Sequence, residues 1–222
     1  HDLRIGYRAG VDATGRVLGV QFTHLFRCGW SQDLSLPVAD RAMLHADNCY
    51  HLPDIRIESH RLRTNTQSAT AFRGFGGPQG IIGIERVMDH AAFATGLDPL
   101  AVRRVNFYRD MDQTGPGKGH RIGGPHSPKP EEWAVQTTPY HMPVEDFIGH
   151  ALVAELEKSS NYHARKAAIA AWNQKNPILK RGIALVPVKF GISFTLTWLN
   201  QAGALVHVYQ DGSIHLNHGG TE

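Results

Sequence analysis

The sequence AFRGFGGPQG, at residues 71–80, combines four glycines with two phenylalanines and one arginine. Apolar residues follow it at helical spacing over residues 81–91. Pro78 suits the first turn of this helix, and Gly96 suits its end. The loop therefore leads directly into a helix amino terminus, where backbone N–H groups and the helix dipole favour an anion such as a phosphate.

The same loop also has a purely structural interpretation, because glycines allow a tight turn to pack a helix against a sheet. It lacks the Gly-Lys-Ser/Thr ending of nucleotide-binding P-loops, and Gln79 stands where a dinucleotide-binding fingerprint has its third glycine. Arg73 between Phe72 and Phe75 adds a cation and two rings, which a structural turn does not need. We expect Phe72 to anchor in the core; for Phe75, a core position and a ring presented to a flat ligand both fit.

The segments on either side of the loop show both strand and helix patterns, which predicts a mixed α/β fold with hairpins and packed helices. The elements predicted before the loop are a hairpin over residues 3–28, a short helix over 38–46 and a strand over 55–62. The elements predicted after it are helices over 78–96 and 98–108, a helix from Pro143, a helix between Ser160 and Pro177, and strands over 181–188, 203–209 and 214–217. Asp98 is the expected cap of the second of these helices.

Residues 109–142 show no periodicity and are rich in glycine and proline, which predicts a long, mobile connection between two lobes. We therefore divide the chain into a first lobe over residues 1–108, this connection, and a second lobe over residues 143–222. The last lobe ends in a glycine pair directly after a strand, and the first begins without an initiator Met. Both observations suggest a piece of a longer protein.

Composition excludes several classes of protein. The 222 residues are 41% hydrophobic and 19% charged, which fits a folded core rather than disorder. The 23 Lys and Arg are interleaved with 20 Asp and Glu, so we expect no nucleic-acid partner. No apolar run approaches the length of a membrane span. Cys28 and Cys49 stand in no metal or disulfide pattern, so we expect buried thiols in a reducing compartment, and the 14 histidines form no metal-ligand pair.

Two further segments are candidates for ligand binding. Arg41 lies on the short helix among apolar neighbours, where its guanidinium must find a partner or face a cavity, and planar donors suit an anionic heterocycle. The alternative is an ion pair with Asp40 or Asp47. Residues 189–195, KFGISFT, pair an aromatic ring with two hydroxyls, although a simple strand end also fits. The residues alone thus indicate a fragment that binds anions and aromatic rings.

Five segments carry a resemblance to a known family: DRAMLHADNCY at 40–50, AFRGFGGPQG at 71–80, KFGISFT at 189–195, LNQAGA at 199–204 and HGGTE at 218–222. Over nearly its whole length the chain resembles the central part of the molybdopterin-binding subunit of xanthine dehydrogenases and oxidases, which are molybdenum hydroxylases. The resemblance implies that the first lobe ends one molybdopterin-binding subdomain and that the second lobe begins another. The sequence departs from the family pattern at Thr197-Trp198, where a Pro-Phe pair is usual, and at residues 111–136, which look like an insertion.

The resemblance implies a role for four residues toward a purine substrate. Arg41 resembles the catalytic arginine that orients the purine and stabilises the negative charge that develops on it. Phe75 and Phe194 resemble the two rings that sandwich the substrate. Thr195 resembles the hydroxyl that hydrogen-bonds it.

The resemblance also implies a molybdenum-molybdopterin cofactor, with Phe72, Arg73, Gly74, Gly219 and Gly220 in the loops that approach it. Such a metal is held by the pterin dithiolene, so no protein metal ligand is expected. Iron–sulfur clusters and FAD are expected on other parts of the enzyme, which makes an iron–sulfur/FAD subunit and the rest of the same chain the expected partners. The expected location is the cytoplasm.

The implied activity is hydroxylation of hypoxanthine and xanthine to urate. The isolated chain is expected to be inactive, because the family's general-base glutamate lies beyond its last residue. Two alternatives remain: an aldehyde or N-heterocycle hydroxylase of the same family, and a non-catalytic scaffold that keeps the loops without the cofactor.

Overall fold

A computed structural model describes residues 1–109 and 136–219. The chain divides into two compact units, His1–Phe190 and Gly191–Glu222. The elements of the first unit are β1 (Asp2–Val11), β2 (Val17–Gly29), α1 (Ser35–Leu44), β3 (Ile55–Arg63), α2 (Gly77–Thr95), α3 (Pro99–Asn106), α4 (Gly149–Ser159) and α5 (Tyr162–Lys175). The second unit contains a short 3-10 turn, Thr197–Leu199, and the strands β4 (Ala204–Val208) and β5 (Ile214–His218). The predicted mixed α/β fold is confirmed.

The hairpin of β1 and β2 forms because the turn between them satisfies its own backbone. The Asp12 carboxylate accepts hydrogen bonds from the backbone N–H groups of Thr14 at 2.8 Å and Arg16 at 3.0 Å. Gly15 adopts a φ of 83°, which residues with a side chain rarely adopt. The predicted hairpin is therefore confirmed, and β2 becomes the central strand of the sheet.

Strands β2 and β3 pair in parallel, so the chain must cross over between them. The crossover contains α1, which packs against both strands and against α2. The residues of β2 alternate in burial, and Val20, Phe22 and Phe26 lie in the core. This arrangement packs α1, the helix that carries Arg41, against both the sheet and α2.

The predicted boundaries of α2 and α3 are confirmed by their caps. Pro78 lies in the first turn of α2, and Gly96 ends it in the left-handed conformation with a φ of 71°. Asp98 caps α3 by accepting hydrogen bonds from the N–H groups of Leu100 and Ala101. The apolar face of α2, with Ile84 among its buried residues, belongs to the core that includes Phe22.

Two predictions differ from the structure. The helix expected from Pro143 begins at Gly149, because Pro143 instead pairs with Thr137 in an antiparallel bridge and the following Val144 N–H donates to the Gln136 carbonyl. The expected strand over residues 181–188 is wrong: these residues form no strand, and the side chains of Asn173 and Asn48 hydrogen-bond the backbone near its two ends, at Arg181 and Pro187.

Of the predicted connection over residues 109–142, residues 110–135 lie outside the described part of the chain. In the second unit, the hairpin turn at Asp211 and Gly212 is confirmed, with a φ of 81° at Gly212. Cys28 and Cys49 are buried free thiols, as predicted. No helix in the two described ranges is long and apolar enough to cross a membrane.

Candidate functional site

The loop before α2 holds three consecutive residues at positive φ: Gly74 at 87°, Phe75 at 48° and Gly76 at 96°. Two tight turns stabilise this conformation, because the N–H of Phe75 donates to the Phe72 carbonyl at 2.8 Å and that of Gly77 donates to the Gly74 carbonyl at 2.9 Å. Glycine adopts such angles freely, whereas Phe75 pays about 1–2 kcal/mol for them. Strain of this kind is concentrated at functional sites in proteins, which directs attention to the ring of Phe75.

The glycines of the loop let two backbones touch. A Cβ atom on Gly76 would lie 2.0 Å from the Val38 carbonyl oxygen, and a Cβ on Gly80 would lie 2.1 Å from the Ala42 carbonyl oxygen. Both of these oxygens belong to α1, on either side of Arg41 in the sequence. The structural interpretation of the glycines is thus correct, and their packing sets the distance between the loop and the helix that carries Arg41.

The guanidinium of Arg41 lies between two aromatic rings. Its Cζ atom is 5.8 Å from the ring centroid of Phe75 and 5.2 Å from that of Phe190. Arg41 is only 4% exposed, and burial lowers its pKa. Arginine nevertheless stays protonated in proteins, so the site holds a buried planar cation against aromatic faces.

The carboxylates that were considered as partners of Arg41 bind other cations. Asp40 forms an ion pair with Arg61. Asp47, which is 2% exposed, forms one with Lys189, whose Nζ lies 2.5 Å from the Asp47 Oδ2 atom.

Phe190 was not selected from the sequence, although it is the first phenylalanine of the KFGISFT segment. Its ring packs on His45 at a centroid distance of 5.0 Å, and a Cβ on Gly77 would lie 2.5 Å from its Cε2 atom. Burial and the charge of Arg41 lower the pKa of His45. Neutral His45 uses its Nδ1 atom as a hydrogen-bond donor to the Arg41 carbonyl at 2.9 Å.

A buried polar cluster around Glu85 was also missed by the sequence analysis, because its members come from separate parts of the chain. The Glu85 carboxylate accepts hydrogen bonds from Asn48 Nδ2 at 2.8 Å, Tyr50 Oη at 2.6 Å and Arg103 Nε at 2.8 Å. Asn48 also binds the chain before Phe190: it donates to the Pro187 carbonyl at 3.0 Å and its Oδ1 accepts from the Lys189 N–H at 2.9 Å. This side chain therefore binds the backbone at Pro187 and Lys189, around the end of the segment that was expected to be a strand.

The other predicted site residues lie in two places. Phe72 is 83% exposed, so the expected core position is wrong: the loop packs on α1 through glycine backbone rather than through a ring. Arg73 is exposed beside it. Phe194 and Thr195 belong to the second unit, ahead of its 3-10 turn.

Gly219 also belongs to the second unit. Its N–H donates to the Gly203 carbonyl at 2.9 Å, next to the end of β5. Gly220 lies outside the described residues.

The first residues of the loop are exposed. Arg73 offers a cation, Phe72 an exposed ring, and Gly74 a backbone without a side chain in the way. Among residues 1–109 and 136–219, no group of three or more His, Cys, Asp or Glu side chains could hold a metal ion.

Two family models match the chain, at residues 1–107 and 155–222, and both describe a molybdopterin cofactor-binding domain. Together they cover most of its length. The chain belongs to this family of molybdopterin cofactor-binding domains.

Within that family, the chain corresponds to the molybdopterin-binding region of the xanthine dehydrogenases. It is 41% identical over 222 residues to the xanthine dehydrogenase/oxidase of Felis catus, covering 100% of this chain and 15% of that protein. It is 42% identical over 216 residues to the Gallus gallus protein of the same name, covering 97% of this chain and 14% of that protein. The chain thus spans about a seventh of the length of these relatives.

Solved structures show the same fold at lower identity. The quinoline 2-oxidoreductase of Pseudomonas putida 86 has a TM-score of 0.60 at 22% identity, covering 79% of this chain and 20% of that one. The aldehyde oxidoreductase of Desulfovibrio gigas has a TM-score of 0.61 at 21% identity, covering 96% of this chain and 20% of that one.

Proposed function

We propose that the chain forms part of the purine and molybdopterin site of a molybdenum-dependent xanthine dehydrogenase, which hydroxylates hypoxanthine and xanthine to urate. The observation that carries the proposal is the buried Arg41 guanidinium between the rings of Phe75 and Phe190. A planar cation held beside aromatic faces suits the edge of a flat heterocycle on which negative charge develops. The sequence similarity to xanthine dehydrogenases supports the same substrate class.

In this proposal, Arg41 orients the purine and stabilises the developing negative charge, which is worth about 3 kcal/mol for one well-placed donor. Phe75 stacks on one face of the purine. In the complete enzyme, Phe194 stacks on the other face and the Thr195 hydroxyl hydrogen-bonds the ring. The rings also keep water from Arg41, which strengthens its interaction with charge.

The bound molybdopterin would supply the redox chemistry of the hydroxylation. We propose that Phe72, Arg73, Gly74, Gly219 and Gly220 contribute to holding it. Iron–sulfur clusters and FAD on other parts of the enzyme would carry the electrons away. The buried free thiols of Cys28 and Cys49 suit the reducing cytoplasm as the location of the enzyme.

The test is the substitution Arg41→Met in the full-length enzyme. We expect kcat/KM for xanthine to fall by about 10²–10³-fold, because a transition-state charge loses its partner, while the molybdenum content per polypeptide stays unchanged. Arg86→Met is the matched control, because Arg86 is an exposed cation on α2. We expect it to retain wild-type turnover.

Three outcomes would contradict the proposal. Unchanged xanthine turnover in Arg41→Met would remove Arg41 from the site. Wild-type protein that oxidises aldehydes or N-heterocycles but not xanthine would favour a hydroxylase of the other branch. Fully matured wild-type protein without molybdenum would favour a non-catalytic scaffold.

A further inference from the structure

We propose that Phe190 is a positioning residue for Arg41, and that Asn48 and the Asp47–Lys189 ion pair hold Phe190 in place. This inference rests on the proposed function, because it concerns the residue to which the proposal gives the substrate charge. Phe190 itself acts through Arg41.

The ring of Phe190 lies against the guanidinium of Arg41. Phe190 is the nearer of the two rings to the Arg41 Cζ atom, at 5.2 Å against 5.8 Å for Phe75. A long arginine side chain has many rotamers, and two rings this close to the guanidinium disfavour those that swing it away. We therefore expect the ring of Phe190 to keep Arg41 in the conformation that meets the substrate.

Neighbouring residues support the ring of Phe190. His45 packs on it at 5.0 Å, and Gly77 approaches so closely that any side chain there would meet the ring. His45 is in turn tied to the carbonyl of Arg41, four residues earlier on the same stretch of chain. The ring thus lies against the part of the molecule that carries the guanidinium.

The backbone of residues 187–189, just before the ring, is held by a side chain. Asn48 binds this segment as a peptide group would, by donating to the Pro187 carbonyl at 3.0 Å and accepting from the Lys189 N–H at 2.9 Å. Asn48 has a φ of 44°, a conformation that asparagine tolerates better than most residues. Its third contact, to Glu85 at 2.8 Å, fixes the orientation of the amide.

An ion pair between Asp47 and Lys189 lies next to Asn48 in the chain. The Lys189 Nζ lies 2.5 Å from Asp47 Oδ2, and the Tyr108 hydroxyl donates to the same carboxylate oxygen at 3.1 Å. Asp47 directly precedes Asn48, and Lys189 directly precedes Phe190. The two neighbouring residues therefore attach the chain before the ring to the segment that follows α1.

The experiment is a double-mutant cycle in the full-length enzyme with Arg41→Met, Phe190→Leu and the double variant. Two quantities are measured: kcat/KM for xanthine, and the dissociation constant of urate by titration calorimetry without an electron acceptor. We expect Phe190→Leu to lower kcat/KM about tenfold and to weaken urate binding severalfold, since it removes one of the two rings that restrict the guanidinium. In the Arg41→Met background, the same substitution is expected to change neither quantity.

Two single variants serve as controls. Phe190→Tyr keeps an aromatic face and is expected to stay within about twofold of wild type. Val188→Ala shortens an exposed side chain two residues away and is also expected to behave as wild type.

The outcomes separate this inference from the proposed function. Equal losses from Phe190→Leu with and without Arg41 would mean that the ring acts independently of the cation. Equal losses in Phe190→Tyr and Phe190→Leu would mean that an aromatic face at this position is not what restricts the cation. Either result overturns the positioning role alone. Wild-type enzyme that binds no urate, or that is insensitive to Arg41→Met, overturns the proposed function and this inference with it.

Discussion

His24 lies on the buried face of β2 between two rings of the same strand, with Phe22 at a centroid distance of 5.7 Å and Phe26 at 6.3 Å. Neither of its ring nitrogens has a hydrogen-bond partner among the described residues. Burial lowers the pKa of His24 from its ordinary value of 6.5 to about 4. The residue is therefore neutral in the native protein at pH 7 and resists protonation as the pH falls.

This depressed pKa predicts a loss of stability in mild acid. The unfolded chain takes up a proton near pH 6.5, whereas the native state does so only near pH 4, so the free energy of unfolding falls through that window. The loss from this residue is roughly 2 to 3 kcal/mol. The thermal unfolding midpoint, measured from pH 7 to pH 4, is expected to fall less in His24→Phe than in wild type.

The variant is compared with wild type because the buried His45 and the half-buried His51 also have lowered pKa values. Their contributions act in the same direction and persist in His24→Phe. Identical pH dependence in the two proteins would show that His24 does not contribute.

At the scale of elements, α1 and the loop before α2 meet through backbone atoms at Gly76. Its Cβ would lie 2.0 Å from the Val38 carbonyl oxygen, and its φ of 96° disfavours any side chain. We expect Gly76→Ala to lower the free energy of unfolding by more than about 2 kcal/mol, because both helix packing and backbone angle must change. The midpoint of denaturant unfolding measures this effect.

Gly10→Ala is the matched control for that substitution. A Cβ at Gly10 meets nothing within 4 Å, and the residue is not among those at positive φ. Its midpoint is expected to match the wild-type value. A Gly76→Ala protein as stable as this control would show that the loop can move away from α1 at little cost.

Local signals made the ends of elements predictable from the sequence. Asp98 marks the start of α3 and Gly96 marks the end of α2, through caps that involve residues within one turn. The strand expected over residues 181–188 does not form, and the backbone groups of Pro187 and Lys189 instead bind the side chain of Asn48, far away in sequence. Phe190 was missed for the same reason, since only the folded chain brings it to Arg41.

The site was therefore predictable in part. Arg41 stood out as a cation among apolar neighbours, and Phe75 as a ring between glycines, and the structure brings the two together. The side chains that support them gave no sequence signal, because Asn48 and Lys189 are ordinary polar residues whose role depends on long-range contacts.

At the scale of the whole molecule, the hairpin of β4 and β5 has one apolar face. Val206 pairs with Leu216 and Val208 pairs with Ile214, and all four side chains are more than half exposed. The opposite face carries more polar residues, such as the pair His207 and His215. An exposed apolar face on a short sheet with free edges favours association.

This face predicts the behaviour of the 222-residue chain in solution. We expect it to self-associate as the concentration rises and Leu216→Lys to reduce that association, as measured by sedimentation velocity. His215→Lys changes the neighbouring residue on the other face and is expected to have little effect. A wild-type chain that stays monomeric at high concentration, or equal effects of both variants, would contradict this assignment of the face.

The direct contact between α1 and the glycine loop also constrains attempts to redesign the site proposed around Arg41. The close contacts at Gly76 and Gly80 are made by backbone atoms of α1, so exchanging side chains on the helix leaves them in place. Replacing Arg41 alone changes the charge that the helix carries and leaves the spacing of helix and loop as it is. A redesign that changes this spacing would have to exchange helix and loop together, as one block.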